Sequence, residues 1–187
     1  MNLIFQAYRS EFAKLRILTG LLLVLILPSG APAQNDPPVY DLKAAFLYHF
    51  GQFVEWPTNS FAGGDAPLVI GIYGVDPFHG DLERIVAGEN INGHPVTVRQ
   101  VLKLSELKTC NIVFINAAEQ PHQAGILGAL DGAAVLTVTE DMNQFSHSGF
   151  MINLFVEDDK IRFEINDEVA VRAGLKISPK LLSLARP

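Results

Sequence analysis

Cysteine and tryptophan are each represented once among 187 residues, and histidine only five times. A single Cys110 forms no internal disulfide, so the fold cannot be a disulfide-stapled scaffold. Its neighbours Asn111, Ile112, Val113, Phe114 and Ile115 read as a buried strand, which makes Cys110 a small buried hydrophobe, with an intermolecular bridge as the alternative. His49, His79, His94, His122 and His147 never recur at the spacing of metal ligands on one helix face, so no metal site is expected. Basic charge is also scarce: 14 Lys and Arg stand against 20 Asp and Glu, a net charge of −6. The basic residues are scattered singly, which argues against nucleic acid as a partner.

Catalytic patterns are missing too. Gly71, Gly74 and Gly80 follow an apolar run but do not have dinucleotide spacing, and Asp76 would set a carboxylate where a phosphate should lie. Ser148 beside Gly149 lacks the first glycine and the following helix of a nucleophile elbow. Asp158 and Asp159 are turn formers, and Ser178 is a helix cap. The expectation is a protein that is not an enzyme and carries no cofactor.

What is present begins with a leader. Arg9, Lys14 and Arg16 precede an apolar stretch from Ile17 to Leu27, too short to span a bilayer, and Ala31, Pro32, Ala33 supply a small-residue cleavage pattern. Residues 1–33 therefore read as a signal peptide, with an uncleaved anchor as the alternative. No cysteine follows for lipid attachment. Residues 34–187, roughly 150 residues, make one domain of net charge about −8.

Along that domain, Leu42, Ala45, Phe46, Phe50, Phe53 and Val54 recur at helical spacing, with Asp41 as N-cap and Pro57 as stop. Leu68 to Tyr73 reads as a buried strand, and Asp76-Pro77 caps a helix carrying Phe78, Leu82, Ile85 and Val86. Asn92-Gly93 marks a tight turn before an alternating strand at Val96, Val98 and Val101. A buried strand at 111–115, a weaker helix at 119–130 and an inner strand at 133–138 follow, and 140–149 is polar turn. A β-hairpin then pairs Phe150, Ile152, Leu154 and Val156 with Ile161, Phe163 and Ile165, and Glu157 faces Lys160. Asp167 caps a short helix closed by Gly174, and Ser178-Pro179 opens the last, with Leu181, Leu182 and Leu184 for packing. Alternating strands and helices make the fold class α/β.

Several ordered blocks carry a resemblance. Lys43-Ala44-Ala45-Phe46-Leu47-Tyr48 with Phe53-Val54-Glu55-Trp56-Pro57, then Gly74 with Asp76-Pro77-Phe78, then Gly149 with Met151-Ile152-Asn153-Leu154 lead to the longest block. That block is Arg162-Phe163-Glu164-Ile165-Asn166, Ala170, and Arg172-Ala173-Gly174-Leu175-Lys176-Ile177-Ser178. Together they resemble the YfiR family over nearly the whole exported part.

The resemblance implies a single-domain, Rossmann-like three-layer arrangement with a mixed central sheet, a C-terminal hairpin and short helices. It implies a periplasmic protein that binds the sensor region of an inner-membrane diguanylate cyclase and represses it, relieved by an outer-membrane lipoprotein; other members are tied to histidine kinases. Some relatives join the position of Cys110 to one that is Gly71 here, so the resemblance does not carry disulfide control over to this chain. Pro179 also stands where a second serine is common.

On the hairpin, Ile161, Phe163 and Ile165 should face inward, leaving Arg162, Glu164 and Asn166 on the other face with Arg172 one helix turn away. This polar patch, with Lys176 and Leu181, is the candidate surface for a partner or ligand. Arg172 with Glu164 could equally be a structural ion pair. Leu175 to Leu184 is core or a docking groove, and Trp56 a core plug or an anchor. The alternative function is a sensor whose pocket near Arg172, Glu164 and Asn166 takes a small anionic or zwitterionic metabolite. A homodimer is expected.

Overall fold

A computed structural model of the chain describes residues 37–186; the expected leader over 1–33 and its cleavage point lie outside them. The first element, α1 (Pro37–Gln52), is followed by the short strand β1 (Val54–Glu55) and then β2 (Leu68–Tyr73) and α2 (Asp81–Val86). Next come β3 (Asn90–Ile91), β4 (His94–Val101), β5 (Ile112–Ile115), α3 (Gln123–Leu130), β6 (Leu136–Glu140), β7 (Ile152–Glu157) and β8 (Lys160–Ile165). The chain closes with α4 (Asp167–Arg172), β9 (Lys176–Ile177) and α5 (Pro179–Leu182).

Seven strands form one mixed sheet in the order β3-β4-β2-β5-β6-β7-β8. The inner pairs β4-β2, β2-β5, β5-β6 and β6-β7 are parallel, and β3 and β8 run antiparallel at the two edges. A separate two-stranded ladder pairs Val54 with Ile177.

Parallel strands covered on both faces need apolar side chains on both, which is why β5 is one uninterrupted apolar run. Its Ile112 and Phe114 enter the larger core with Leu47, Phe50, Phe78 and Phe163, and its Val113 and Ile115 enter the smaller one with Leu107, Ile126 and Phe150. The result is an α/β fold of three layers. Phe163 anchors the hairpin to α1, its ring 5.2 Å from Phe50 and 5.8 Å from Phe46. On β2, Gly71 faces the smaller core, and a Cβ there would stand 2.6 Å from Cys110 Sγ and 2.8 Å from Val101 Cγ2. Cys110 is free and buried in that space.

Several local expectations are corrected. Asp41 is not an N-cap, because the helix already runs from Pro37; prolines at its first turn give up N–H groups that have no partner there anyway. The same helix stops at Gln52, before the β1 strand, not at Pro57. Asp76 does accept the Phe78 N–H at 2.8 Å, but it forms a local turn. His79 and Gly80 follow with φ of 50° and 93°, left-handed values that delay α2 to Asp81.

Further along, Asn166 and not Asp167 caps α4, through Oδ1 on the Val169 N–H at 3.2 Å. Glu140 belongs to β6 rather than to a turn. Val156 and Leu184 are 47% and 64% exposed, not packed. Glu157 does sit opposite Lys160 in register, but its carboxylate is taken by Arg186. The Asn92-Gly93 turn, the Gly174 stop and the Ser178-Pro179 start stand as expected, with Ser178 Oγ accepting from the Leu181 N–H at 3.3 Å.

Candidate functional site

The loop between β6 and β7, the end of β8, the start of α4 and Arg186 enclose a cavity of about 740 Å³, a size that suits a small molecule or a few side chains of a partner. Asn153 holds the loop in place. From buried β7 its Oδ1 accepts the Met142 N–H at 3.1 Å, and its Nδ2 donates to Met142 O at 3.4 Å and to Glu164 Oε2 at 3.3 Å. Asn166 adds a second tie, Nδ2 to Ser146 O at 3.4 Å. Asp141 and Gln144 take φ of 48° and 53°, a left-handed conformation that side chains adopt only where the surroundings enforce it.

The lining is acidic. Glu164, Asp167 and Glu168 line it together with Arg186, whose guanidinium already clamps Glu157 with two bonds of 2.8 and 2.7 Å. With its one lining cation neutralised in a bidentate pair, the cavity favours a cationic or amide-bearing group and disfavours an anion.

Just behind the loop lies a buried ion pair. Lys43 and Glu140 are each 2% exposed and meet at 2.6 Å, with Asp141 at 3.5 Å from the same ammonium. The Tyr40 ring centroid lies 4.9 Å from Lys43 Nζ, and Glu140 Oε1 accepts the Ala117 N–H at 3.3 Å. Burial pushes the Lys43 ammonium toward deprotonation, but the Glu140 hydrogen bond and the charges of Glu140 and Asp141 more than offset it. Its pKa therefore lies above the ordinary lysine value. The Tyr40 hydroxyl is raised as well, by burial first and then by the Glu140 charge.

The structure brings only part of the expected patch together. Glu164 and Asn166 line the cavity, and Arg162, exposed on the same face of β8, sits opposite Phe155. Arg172 does not join them. Its guanidinium lies 3.8 Å from Glu168 rather than on Glu164, and it borders a separate cleft of about 260 Å³ with Leu127, Leu130 and Asp131. The pocket expected to combine Arg172 with Glu164 and Asn166 is thus two recesses. Lys176 stands elsewhere again, on β9, 4.0 Å from Glu55. Leu181 is 4% exposed and packs in the larger core, so it presents no surface to a partner. Trp56 is partly buried against that core, and its Nε1–H donates to Asn111 O at 3.3 Å.

Sequence reasoning missed Arg186, the 142–146 loop and the Lys43–Glu140 pair. A signal for the last existed: Lys43 shares one helix face with Leu47 and Phe50, at four and seven residues, where a lysine needs a buried partner. Nothing local in the sequence points Arg186 toward Glu157, 29 residues away.

Among the described residues no three His, Cys, Asp or Glu side chains converge on a point, and no helix is long and apolar enough to cross a membrane. Fold and site define a small α/β domain with a recess that is polar, acidic and held by side-chain amides. The chain belongs to the YfiR/HmsC-like family, whose model matches residues 40–186. That family consists of regulatory domains associated with cyclic di-GMP signalling and with membrane signalling proteins.

Proposed function

We propose that residues 1–33 export the chain as a signal peptide and that residues 34–187 act in the periplasm as a repressor of an inner-membrane diguanylate cyclase. The repressor binds the cyclase's periplasmic sensor region without chemistry, cofactor or metal, works as a homodimer, and is drawn away by an outer-membrane lipoprotein. A histidine kinase is the alternative membrane partner. Family membership over residues 40–186 is the observation that carries this reading. The acidic cavity at Glu164 and Asn166 is its contact point, and the partner segment that enters it is basic.

The test pairs cells with purified protein. Deleting the gene should raise cyclic di-GMP and surface attachment, and Glu164→Lys should reproduce the deletion while the protein still accumulates and melts normally. Unchanged cyclic di-GMP and unchanged kinase output in the deletion strain would overturn the reading. The sensor alternative draws on the volume of the cavity, which also suits a small molecule. Its acidic lining narrows that ligand to a cation or a zwitterion, and a thermal-shift screen checks it, since a ligand at 100 times its Kd adds ~2.7 kcal/mol.

A further inference from the structure

The outer edge of β8 is occupied by a segment of the same chain. The Arg186 N–H donates to Phe163 O at 2.8 Å, and Arg186 lies beside Glu164 as a parallel bridge. Side chains alternate along an extended chain, so Ala185 falls on the face of Phe163, where it packs against the larger core. Leu184 and Arg186 fall on the other face, with Arg162 and Glu164. There the Arg186 guanidinium holds Glu157 through two bonds, and Leu184 stays 64% exposed.

This strap fills the edge only in part. Leu154 O turns away from β8, to the Asp141 N–H at 2.8 Å, so its register partner Phe163 turns both main-chain groups to the outer edge. Ile161, two residues earlier, does the same. Of these four groups only Phe163 O has a hydrogen-bond partner among the described residues. The next rung is lost because the Leu184 N–H turns back to Leu181 O at 3.1 Å, closing the turn that ends α5. What remains is one main-chain bond and an ion pair between half-exposed groups, which water and salt screen.

We propose that residues 183–186 are a displaceable strap, holding the place of an extended, arginine-bearing segment of the partner that adds to β8 as a parallel strand. The inference rests on the reading that the cavity at Glu164 and Asn166 is the contact point, and it supplies what enters there and what leaves first. Upstream the chain stays fixed, because Leu181 is buried and Ser178 caps α5.

The occupant is selected by the segment already seated. The edge accepts a parallel main chain, the core face admits a small side chain beside Phe163, and the opposite face takes an arginine on Glu157. A partner segment of that pattern repeats each contact. Free of the turn at Leu181, it also offers an N–H to Ile161 O and a carbonyl to the Phe163 N–H, so the exchange gains main-chain bonds and conserves the ion pair. Arg186 leaves the cavity wall in the same step, and the uncovered Glu157 and Glu164 meet the incoming cation.

Nuclear magnetic resonance on the isotopically labelled full chain tests this. The Arg186 amide should be at least a hundredfold less protected from hydrogen exchange than the Leu136 amide, which holds Asn111 O at 2.8 Å inside the sheet. A synthetic peptide with the sequence of residues 182–187 should shift the Ile161 and Phe163 amides. It should bind the Arg186→Glu chain, whose own strap meets Glu157 with like charge, at least tenfold more tightly than wild type. The same peptide with glutamate in place of its arginine should lose that binding, and Arg186→Ala repeats the comparison if the charge reversal does not fold. Equal protection of Arg186 and Leu136, or a peptide that binds wild type and variant alike or binds neither, overturns the strap and leaves the repressor reading standing. A gene deletion that changes neither cyclic di-GMP nor kinase output overturns that reading and leaves the peptide result as it is.

Discussion

The two sides of the sheet are held by different physics. On the β6-β7-β8 side the decisive contacts are directional: Lys43 on Glu140, Asn153 on Met142 and Glu164, Asn166 on Ser146, Arg186 on Glu157. On the β2-β4-β5 side the side-chain bonds run mostly to the main chain, as Asn111 Oδ1 accepting the Val69 N–H and Gln100 Nε2 on Ile72 O, and side chain meets side chain by shape, with Gly71 leaving room for Cys110 and Phe78 crossing Phe114 at 4.9 Å. Directional contacts fix where a loop stands to within a fraction of an ångström, whereas apolar packing fixes only that a volume is filled. The cavity on the first side is therefore walled by a loop whose position those contacts set.

The comparison breaks most visibly at Lys43. Removing one member of a buried pair leaves the other charge uncompensated, so Lys43→Met should cost ~3–5 kcal/mol in urea unfolding, and Lys43→Met with Glu140→Leu should recover most of it. Because the folded pKa of Lys43 lies above its unfolded value, its contribution is whole below about pH 10 and fades as pH rises through the folded value. The stability gap between wild type and the single variant should therefore stay constant across neutral pH and narrow only in alkali. A gap that opens only in alkali would refute the assignment.

On the other side, Gly71→Cys sharpens the contrast. The new Cβ would stand 3.4 Å from Cys110 Cβ, slightly closer than the usual disulfide spacing, and the buried Val101, whose Cγ2 would lie at 2.8 Å, must shift to admit it. Oxidised protein should gain on the order of 2 kcal/mol over its reduced form, read as a reductant-sensitive unfolding midpoint. Gly71→Ala, which meets the same sulfur without bonding it, should destabilise.

The smallest effect is expected at the rim of the cavity. Arg186→Ala breaks an ion pair whose members are 48% and 34% exposed, so stability should fall by no more than ~1 kcal/mol. Partner capture should nevertheless change, because a lining charge is lost. Equal losses of stability from Lys43→Met and Arg186→Ala would erase the distinction between buried and rim polar contacts.

How much was legible follows the same division. Strands β2 and β5, the Asn92-Gly93 turn and the Ser178 cap were readable because each depends on its own residues: a continuous apolar run, a pair tolerant of left-handed φ, a hydroxyl before proline. The start of α2 was misread because two left-handed residues, His79 and Gly80, follow the Asp76 turn and postpone the helix. The candidate site was half legible. Glu164 and Asn166 lie on one strand end, so alternation placed them together, but Arg172 leaves on the far side of α4. Glu140 was lost to a polar stretch that looked like turn, because its partner is 97 residues away and no local pattern records such a pairing.

Arg186 is both the last rung against β8 and part of the cavity wall. Any affinity tag or fluorescent fusion appended after it therefore starts at the mouth of the recess. Such a label would compete with whatever enters, so capture experiments belong with a tag placed ahead of Pro37, on the processed chain.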